Sequence, residues 1–155
     1  MEQSPILNEH NKQEYPPAHT AEHILNQTMI RMFGCSRSRI NHIERKKSKC
    51  NYTLTACPTE EQIREVEATV NRIIEANMKV TERFVARCEI PDSIDLSKLP
   101  ANASDTLRLI YIGDYDVCPC LGDHVKYTGE IGHFRISSTS YSEGNFRIVF
   151  RVATQ

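Results

Sequence analysis

Two segments of the chain repeat their apolar residues with the period of an α-helix, and this pattern limits the possible folds most strongly. Across residues 19–33, apolar side chains recur at steps of three and four, and Gly34 follows as a C-terminal cap. The second segment opens at Thr59 with a capping box completed by Gln62, and it is predicted to end near Asn77. We therefore expect two amphipathic helices, each of which must cover an apolar surface.

The remaining segments alternate apolar and polar residues, as strands do, and short connections join them. About six strands are predicted, at residues 39–43, 51–57, 79–90, 107–112, 132–138 and 145–152. Residues 91–105 are rich in Asp, Ser, Pro and Asn and are predicted to form a connection with one helical turn. This order indicates an α+β fold, with two main helices packed on one side of a largely antiparallel sheet.

The length of 155 residues fits one compact domain. Residues 1–17 have no hydrophobic period and end in Pro16 and Pro17, so they are predicted to form an N-terminal arm. The folded domain is expected to occupy residues 18–155.

Composition excludes several classes of protein. No stretch approaches the roughly 20 apolar residues of a membrane span, and the start lacks the apolar core of an export signal. We therefore expect a cytoplasmic protein with no membrane partner. The six cysteines are read as thiols, because the chain is too long for a secreted disulfide miniprotein. A net charge of -1 gives no overall attraction for nucleic acid.

One local run of basic residues does supply positive charge, in the hairpin that the first two predicted strands form with Lys46 to Lys49 at or near its turn. Six cations lie in residues 37–49 and only Glu44 opposes them. Such a density can neutralise several phosphates of a polynucleotide, while the alternative is a solvated hairpin tip. The candidate substrate-binding residues in this run are Arg45, Lys46, Lys47 and Lys49.

Two pairs of possible metal ligands lie far apart in the sequence. His19 and His23 are four residues apart on the first predicted helix, so both imidazoles can face one ion. Cys120 and His124 have the same spacing in a glycine-containing segment. Together they form a nitrogen and sulfur donor set of the kind that zinc prefers. The alternative is a pair of histidines packed in the core.

The residues around both pairs resemble a known family. The stretch His19-Thr-Ala-Glu-His23-Ile-Leu resembles the opening motif of the editing domain shared by alanyl- and threonyl-tRNA synthetases and by free-standing proteins of the AlaX type. Three later stretches resemble the alanyl branch in order and spacing: Ile112-Gly-Asp-x-Asp116, Pro119-Cys120-x-Gly122-x-His124-Val125 and Thr128-Gly129-Glu130-Ile131-Gly132. The threonyl branch matches the last stretch less well. The resemblance extends over about residues 18–153.

The resemblance implies an editing-domain fold and an aminoacyl-tRNA deacylase that acts in trans. Its expected substrate is the ester that joins a wrong amino acid, typically serine or glycine, to the acceptor end of tRNA for alanine. The zinc ligands it implies are His19, His23, Cys120 and His124. The zinc would either activate water through an open coordination position or orient the substrate's amino group.

Two positions depart from the family pattern. Where the alanyl branch usually has Cys-Gly-Gly-Thr-His, this chain has Leu121 and Asp123 between Cys120 and His124. Leu121 adds bulk and Asp123 adds negative charge close to the expected ion, so we predict a changed amino-acid preference with the metal retained. Asp123 joins the four ligands as a candidate catalytic residue. The departures keep open a non-catalytic zinc module that binds tRNA or a protein, and a hydrolase of another small acyl ester.

Two neighbours of these motifs have alternative interpretations. Cys118 could replace Cys120 as a ligand, but an inert thiol on the neighbouring strand is favoured. Glu22 could orient a histidine or accept a proton, but a surface carboxylate is favoured, because its helical position lies on a different face from both histidines.

Overall fold

The computed structural model describes residues 15–38, 41–90, 94 and 106–153. These residues form two α-helices, seven strands and two short 3₁₀ helices, at Arg87–Glu89 and Thr128–Ile131. The helices are α1 (Pro16–Phe33) and α2 (Glu60–Glu75). The strands are β1 (Asn41–His42), β2 (Ser48–Thr53), β3 (Val80–Ala86), β4 (Thr106–Ile112), β5 (Asp116–Pro119), β6 (His133–Ser142) and β7 (Asn145–Ala153). Neither helix is long and apolar enough to cross a membrane.

The α+β fold class predicted from the sequence is confirmed. The strands form two antiparallel sheets rather than the single sheet expected, with the orders β1-β2-β7-β6 and β3-β4-β5. The chain enters the three-stranded sheet after α2 and returns to the four-stranded sheet after β5. The segment that carries the second pair of possible ligands is therefore the crossing between the two sheets.

Helix α1 begins three residues earlier than the residue 19 start that periodicity predicts. Pro16 and Pro17 occupy its first turn, where a missing N–H removes no intrahelical hydrogen bond. Its C-terminal end is as predicted, because Gly34 adopts a φ of 70° and its N–H donates to the Ile30 carbonyl. Of the predicted N-terminal arm, residues 1–14 lie outside the described residues.

Helix α2 has the capping box that the sequence predicts. The Gln62 N–H donates to the Thr59 hydroxyl, and the Thr59 N–H donates to the Gln62 side chain. Further along, the Asn71 amide bonds both the N–H and the carbonyl of Phe134. Helix α2 therefore covers the edge of β6, which would otherwise expose unpaired backbone groups. The buried stripe of α2 is Val66, Val70 and Ile74.

The hairpin of β1 and β2 is present with a different turn. Strand β2 begins at Ser48, so Lys49 lies in the strand, opposite Val149, and not in the turn. The reason is that Cys50 and Tyr52 alternate into the core and fix the register of the strand.

Two other strand predictions need correction. Strand β3 ends at Ala86, where a short 3₁₀ helix (Arg87–Glu89) takes over. Strand β5 was not predicted. Its four residues are too few to show an alternation of apolar and polar side chains, and it includes Pro119, which is uncommon in strands. The predicted connection at residues 91–105 lies outside the described residues, apart from residue 94.

The main core lies between the inner face of the four-stranded sheet and the two helices. Its largest buried side chains include Tyr52, Phe134, Phe146, Phe150, Ile24, Leu25 and Met29. Ile24, Leu25 and Met29 lie on α1, so burial of this stripe holds α1 against the sheet. Helix α1 also contacts β5. This packing brings the first turns of α1 to the segment that follows β5.

Candidate metal centre

Four side chains from the two ends of the domain converge at one point. The Nε2 or Nδ1 atoms of His19, His23 and His124 and the Sγ atom of Cys120 lie within 4.8 Å of one another. All four residues were singled out from the sequence, and the structure brings all of them together. Helix α1 supplies the first pair, and the segment after β5 supplies the second.

The three histidine rings of this cluster pack against one another. The rings of His19 and His124 are stacked, with centroids 4.1 Å apart. The His23 ring stands nearly perpendicular to both, at 5.0 Å from His19 and 4.5 Å from His124. The Sγ atom of Cys120 lies 3.3 Å from His19 Nε2. The three imidazoles and the thiol are therefore close enough together for their donor atoms to bind one ion.

The outer nitrogen of two imidazoles is held by the protein. His19 Nδ1 donates to the main-chain carbonyl of Asp123 at 3.0 Å. His124 Nδ1 is hydrogen-bonded to the Thr20 hydroxyl at 2.9 Å, and that hydroxyl also accepts the Val125 N–H. Such bonds fix the orientation of a ligating imidazole and direct its Nε2 atom inward.

One inward nitrogen shows that the cluster fits a metal ion. His124 Nε2 is buried and has no hydrogen-bond partner among the described residues. A buried polar atom without a partner is costly, so native structures satisfy such atoms with protein, water or an ion. Three imidazoles and one thiol are a donor set that suits a tetrahedral ion such as zinc.

The surroundings of Cys120 favour its thiolate form. Burial would raise the pKa of Cys120, but the charge of His23 and the close imidazoles of His124 and His19 hold it well below its usual value. Burial lowers the pKa of His124 to about 4. Burial would lower the pKa values of His19 and His23, but the Cys120 thiolate raises both. A thiolate and a neutral imidazole are the forms that ligate metals, so a metal ion that binds here displaces protons from these two imidazoles.

Asp116 supports the cluster from behind His23. Its Oδ2 atom lies 3.7 Å from His23 Nδ1, and the Arg37 guanidinium donates to both of its oxygens at 2.9 and 3.0 Å. Gln27 adds a third donor at 2.8 Å. Burial would raise the pKa of Asp116, but His23 and Arg37 lower it below its usual range. Asp116 is therefore a fixed anion beside a ligand.

The loop that carries Cys120 is held by Arg108 of β4. One Arg108 nitrogen donates to the carbonyls of Cys120 and Gly122, at 2.9 and 2.8 Å. The same guanidinium also donates to Glu82 at 2.6 Å. Two main-chain carbonyls of the ligand loop are thus tied to the three-stranded sheet.

Glu22 is placed differently from the surface position favoured by the sequence, and that interpretation was wrong. Its side chain is buried, and its Oε1 atom lies 3.9 Å from the Nε2 atoms of both His19 and His23. Its Oε2 atom accepts hydrogen bonds from Asn26 at 2.7 Å and Asn41 at 3.1 Å. Strand β1 lies beside this part of α1, because Asn41 reaches the Glu22 carboxylate. The position between the two histidines is therefore buried.

The remaining candidates lie around the cluster. Asp123 contributes its main-chain carbonyl, and its side chain is exposed, as is that of Leu121. Cys118 is buried on β5 outside the four-residue cluster, and burial raises the pKa of its thiol, which agrees with the inert interpretation. The basic candidates are outside the cluster: Arg45, Lys46 and Lys47 are exposed between β1 and β2, and Lys49 is in β2.

Several supporting residues were not singled out from the sequence. Thr20, Arg37, Asp116 and Arg108 act through hydrogen bonds to ligands or to the ligand loop. Thr20 and Asp116 did lie within the family-like stretches, which was the available signal. Arg37 had been counted only as part of the basic run.

Comparison with known proteins identifies the family. The model described as threonyl and alanyl tRNA synthetase second additional domain matches residues 107–149, which include Cys120 and His124. The alanine-tRNA ligase of Buchnera aphidicola subsp. Baizongia pistaciae is 32% identical over 138 residues, covering 84% of this chain and 15% of that protein. The chain belongs to the alanyl-tRNA synthetase editing-domain family.

Other relatives of this editing domain give the same result. The alanine-tRNA ligases of Pseudoalteromonas translucida and Halorubrum lacusprofundi are each 30% identical, over 129 and 148 residues. These matches cover 79% and 85% of this chain, and 14% and 15% of those proteins. The chain thus spans about 15% of the length of such relatives.

Proposed function

We propose that this chain is a zinc-dependent aminoacyl-tRNA deacylase that acts in trans on mischarged tRNA. The proposed substrate is the seryl or glycyl ester on the acceptor end of tRNA for alanine. The observation that carries the proposal is the convergence of three imidazoles and one thiol, with His124 Nε2 buried and unpartnered among the described residues. We propose that the protein acts on this substrate in the cytoplasm.

The ligands we propose for zinc are the four residues of the cluster: His19, His23, Cys120 and His124. When bound, zinc supplies a Lewis acid that can polarise a carbonyl or fix an amino group. Four protein ligands favour a closed shell, so the polar groups around the ion have to bind the substrate and the water.

Glu22 is the side chain best placed for that task. Asn26 and Asn41 occupy its Oε2 atom, which leaves Oε1 directed at the inward side of the histidine pair. A carboxylate oxygen in this position can accept a hydrogen bond from the attacking water or from the substrate's ammonium group. Water then adds to the ester carbonyl and the bond to the ribose oxygen breaks. The proton that the water gives up passes to the ribose oxygen, so the products are the free amino acid and the 3′-terminal hydroxyl of the tRNA. An aminoacyl ester needs mainly this positioning, because it is already activated.

Asp123 and Leu121 are proposed to adjust which amino acid is accepted. Both side chains are exposed next to the ligand loop, so they act at its outer side and not by ligating the metal. The candidate catalytic role of Asp123 is tested by Asp123→Ala. We expect bound zinc to be retained and the ratio of seryl to glycyl ester hydrolysis to change, and loss of zinc would contradict this division of roles.

The basic hairpin is proposed to contact tRNA phosphates. Arg45, Lys46 and Lys47 are exposed between β1 and β2, where a phosphate can reach them. Reversing the charges of Lys46, Lys47 and Lys49 should lower tRNA affinity and its salt dependence. Unchanged affinity at every salt concentration would remove the hairpin from the interface.

The function is tested by deacylation rates on seryl-, glycyl- and alanyl-tRNA for alanine. A variant with both His19→Ala and Cys120→Ala serves as the inactive control. Loss of the seryl or glycyl ester, a spared alanyl ester and an inactive variant support editing. No hydrolysis of any ester would indicate a zinc-containing binding module. Equal hydrolysis of free aminoacyl esters would indicate a hydrolase of small esters.

A further inference from the structure

The outward face of the four-stranded sheet carries an uneven charge. Alternation along β2, β6 and β7 turns their large apolar residues into the core and leaves polar side chains outside. The cations on this outward face are Lys49, Arg135, Arg147 and Arg151. Among the strand residues described there, none is Asp or Glu. A chain of net charge -1 therefore concentrates positive charge on one face of this sheet.

Two of these cations face each other. Arg135 and Arg151 are direct cross-strand partners on β6 and β7, and both are exposed. Like charges at opposed positions destabilise a sheet. An anion placed between them removes that cost, and the planar guanidinium group matches the geometry of phosphate. This pair is therefore better suited to a bound phosphate than to solvent alone.

The other residues of the face indicate which polyanion fits. They are small and polar for the most part: Asn51, Thr53, Ser138, Ser140 and Asn145. Protein interfaces rely on aromatic and large apolar anchors, membrane surfaces on Trp, Phe or Leu, and single-stranded nucleic acids on aromatic platforms. Val149 is the largest apolar side chain on the described part of this face. The chemistry matches a sugar-phosphate backbone contacted without stacking.

Strand β1 connects this face to the metal centre. The Asn41 side chain donates to Glu22 beside the ligands, whereas the next residue, His42, is paired with Lys49 on the outward side. The face therefore begins at the strand that borders the centre. An RNA that reaches the centre with its 3′ end can continue over this strand.

We propose that the outward sheet face, defined by Arg135, Arg147, Arg151 and Lys49, binds the sugar-phosphate backbone of the tRNA body. The identity of the RNA rests on the proposed function. The surface is separate from the exposed hairpin tip, and Lys49 is the residue at which the two adjoin.

The test measures binding of uncharged tRNA for alanine over a series of salt concentrations. The sheet variant combines Arg135→Gln, Arg147→Gln and Arg151→Gln. The matched control combines Arg64→Gln, Arg72→Gln and Arg83→Gln, three exposed arginines on α2 and β3. Affinity of the sheet variant should fall on the order of tenfold, and the slope of log affinity against log salt should lessen by roughly 2 to 3. The control should bind as the unmodified protein does.

A second substrate separates this proposal from the proposed function. Seryl ester on a CCA trinucleotide lacks the tRNA body, so the sheet variant should hydrolyse it at the unmodified rate. Failure of every protein to hydrolyse either ester would remove the deacylase function, while the binding comparison would still decide the role of the face. Equal tRNA affinity of the sheet variant and the control would overturn the proposal. So would a loss of binding to phosphatidylserine vesicles with tRNA binding intact, which would assign the face to a membrane.

Discussion

Glu22 Oε1 lies 3.9 Å from His23 Nε2, on the side of the imidazole that faces the candidate metal centre. Asn26 and Asn41 hold the other carboxylate oxygen, so this orientation is fixed by the protein. A buried carboxylate in this position is expected to act on whatever binds beside the ion.

Glu22→Gln keeps the size of the side chain and removes its charge. We expect the rate of seryl ester hydrolysis to fall about 100-fold, because a positioned proton acceptor contributes at least that much to such reactions. Zinc content should stay the same. Glu67→Gln is the control, since Glu67 accepts the Ile136 N–H away from the centre. A Glu22→Gln protein with full activity would exclude this residue from the reaction.

Thr20→Val tests the hydrogen bond behind His124. The hydroxyl binds His124 Nδ1 and accepts the Val125 N–H, and valine keeps its shape without these bonds. Zinc affinity should fall about 10- to 100-fold, as is usual when the partner of a ligand is removed. Competition with a chromophoric chelator measures it.

Thr28→Val is the matched control on the same helix. Thr28 is also buried, but its hydroxyl bonds Ile24 and Tyr115 instead of a ligand. Thr28→Val should lower stability and leave zinc affinity unchanged. Equal losses of zinc affinity in both variants would mean that the effect comes from general destabilisation.

Asp116→Asn tests the buried ion pair. It leaves the Arg37 guanidinium buried without its anion, so the free energy of unfolding should fall by about 3 to 5 kcal/mol in urea titrations. Replacing both residues, as Arg37→Met with Asp116→Leu, should cost much less stability. Both proteins should lose zinc affinity, because each lacks the carboxylate beside His23. A double variant as unstable as Asp116→Asn would contradict this account.

The same pair predicts how stability changes with pH. The pKa of Asp116 is lowered in the folded protein, so its contribution is fully present above the unfolded value of about 3.9. The contribution is lost as pH falls through the lowered folded value. Urea titrations in chelator should therefore show a steeper decline below about pH 4 for the unmodified protein than for the Arg37→Met, Asp116→Leu variant. Parallel curves would show that Asp116 carries no such linkage.

The sequence predicted the four residues of the candidate metal centre because their signals are local and chemical. The spacing of His19 and His23 on a helix, and of Cys120 and His124 in a loop, requires no tertiary information. The cap at Gly34 and the capping box at Thr59 were visible for the same reason.

Tertiary contacts decided the features that the sequence did not predict. Glu22 became a buried neighbour of the centre because β1 packs beside α1 and Asn41 reaches its carboxylate. Arg108 lies next to the loop that carries Cys120 because β4 pairs with β5. Strand β5 is too short to be predicted from the sequence, so this contact could not be predicted either. The division into two sheets also depends on which strands meet, and alternation within a strand does not specify this.

The most direct test of the central claim is the rate of seryl-tRNA hydrolysis as zinc is returned to chelator-stripped protein. We expect no hydrolysis by the stripped protein and a rate that rises with zinc until the cluster is filled, at about one equivalent. The His19→Ala, Cys120→Ala variant should stay inactive throughout. A stripped protein that hydrolyses the ester as fast as the zinc-loaded one would contradict the account.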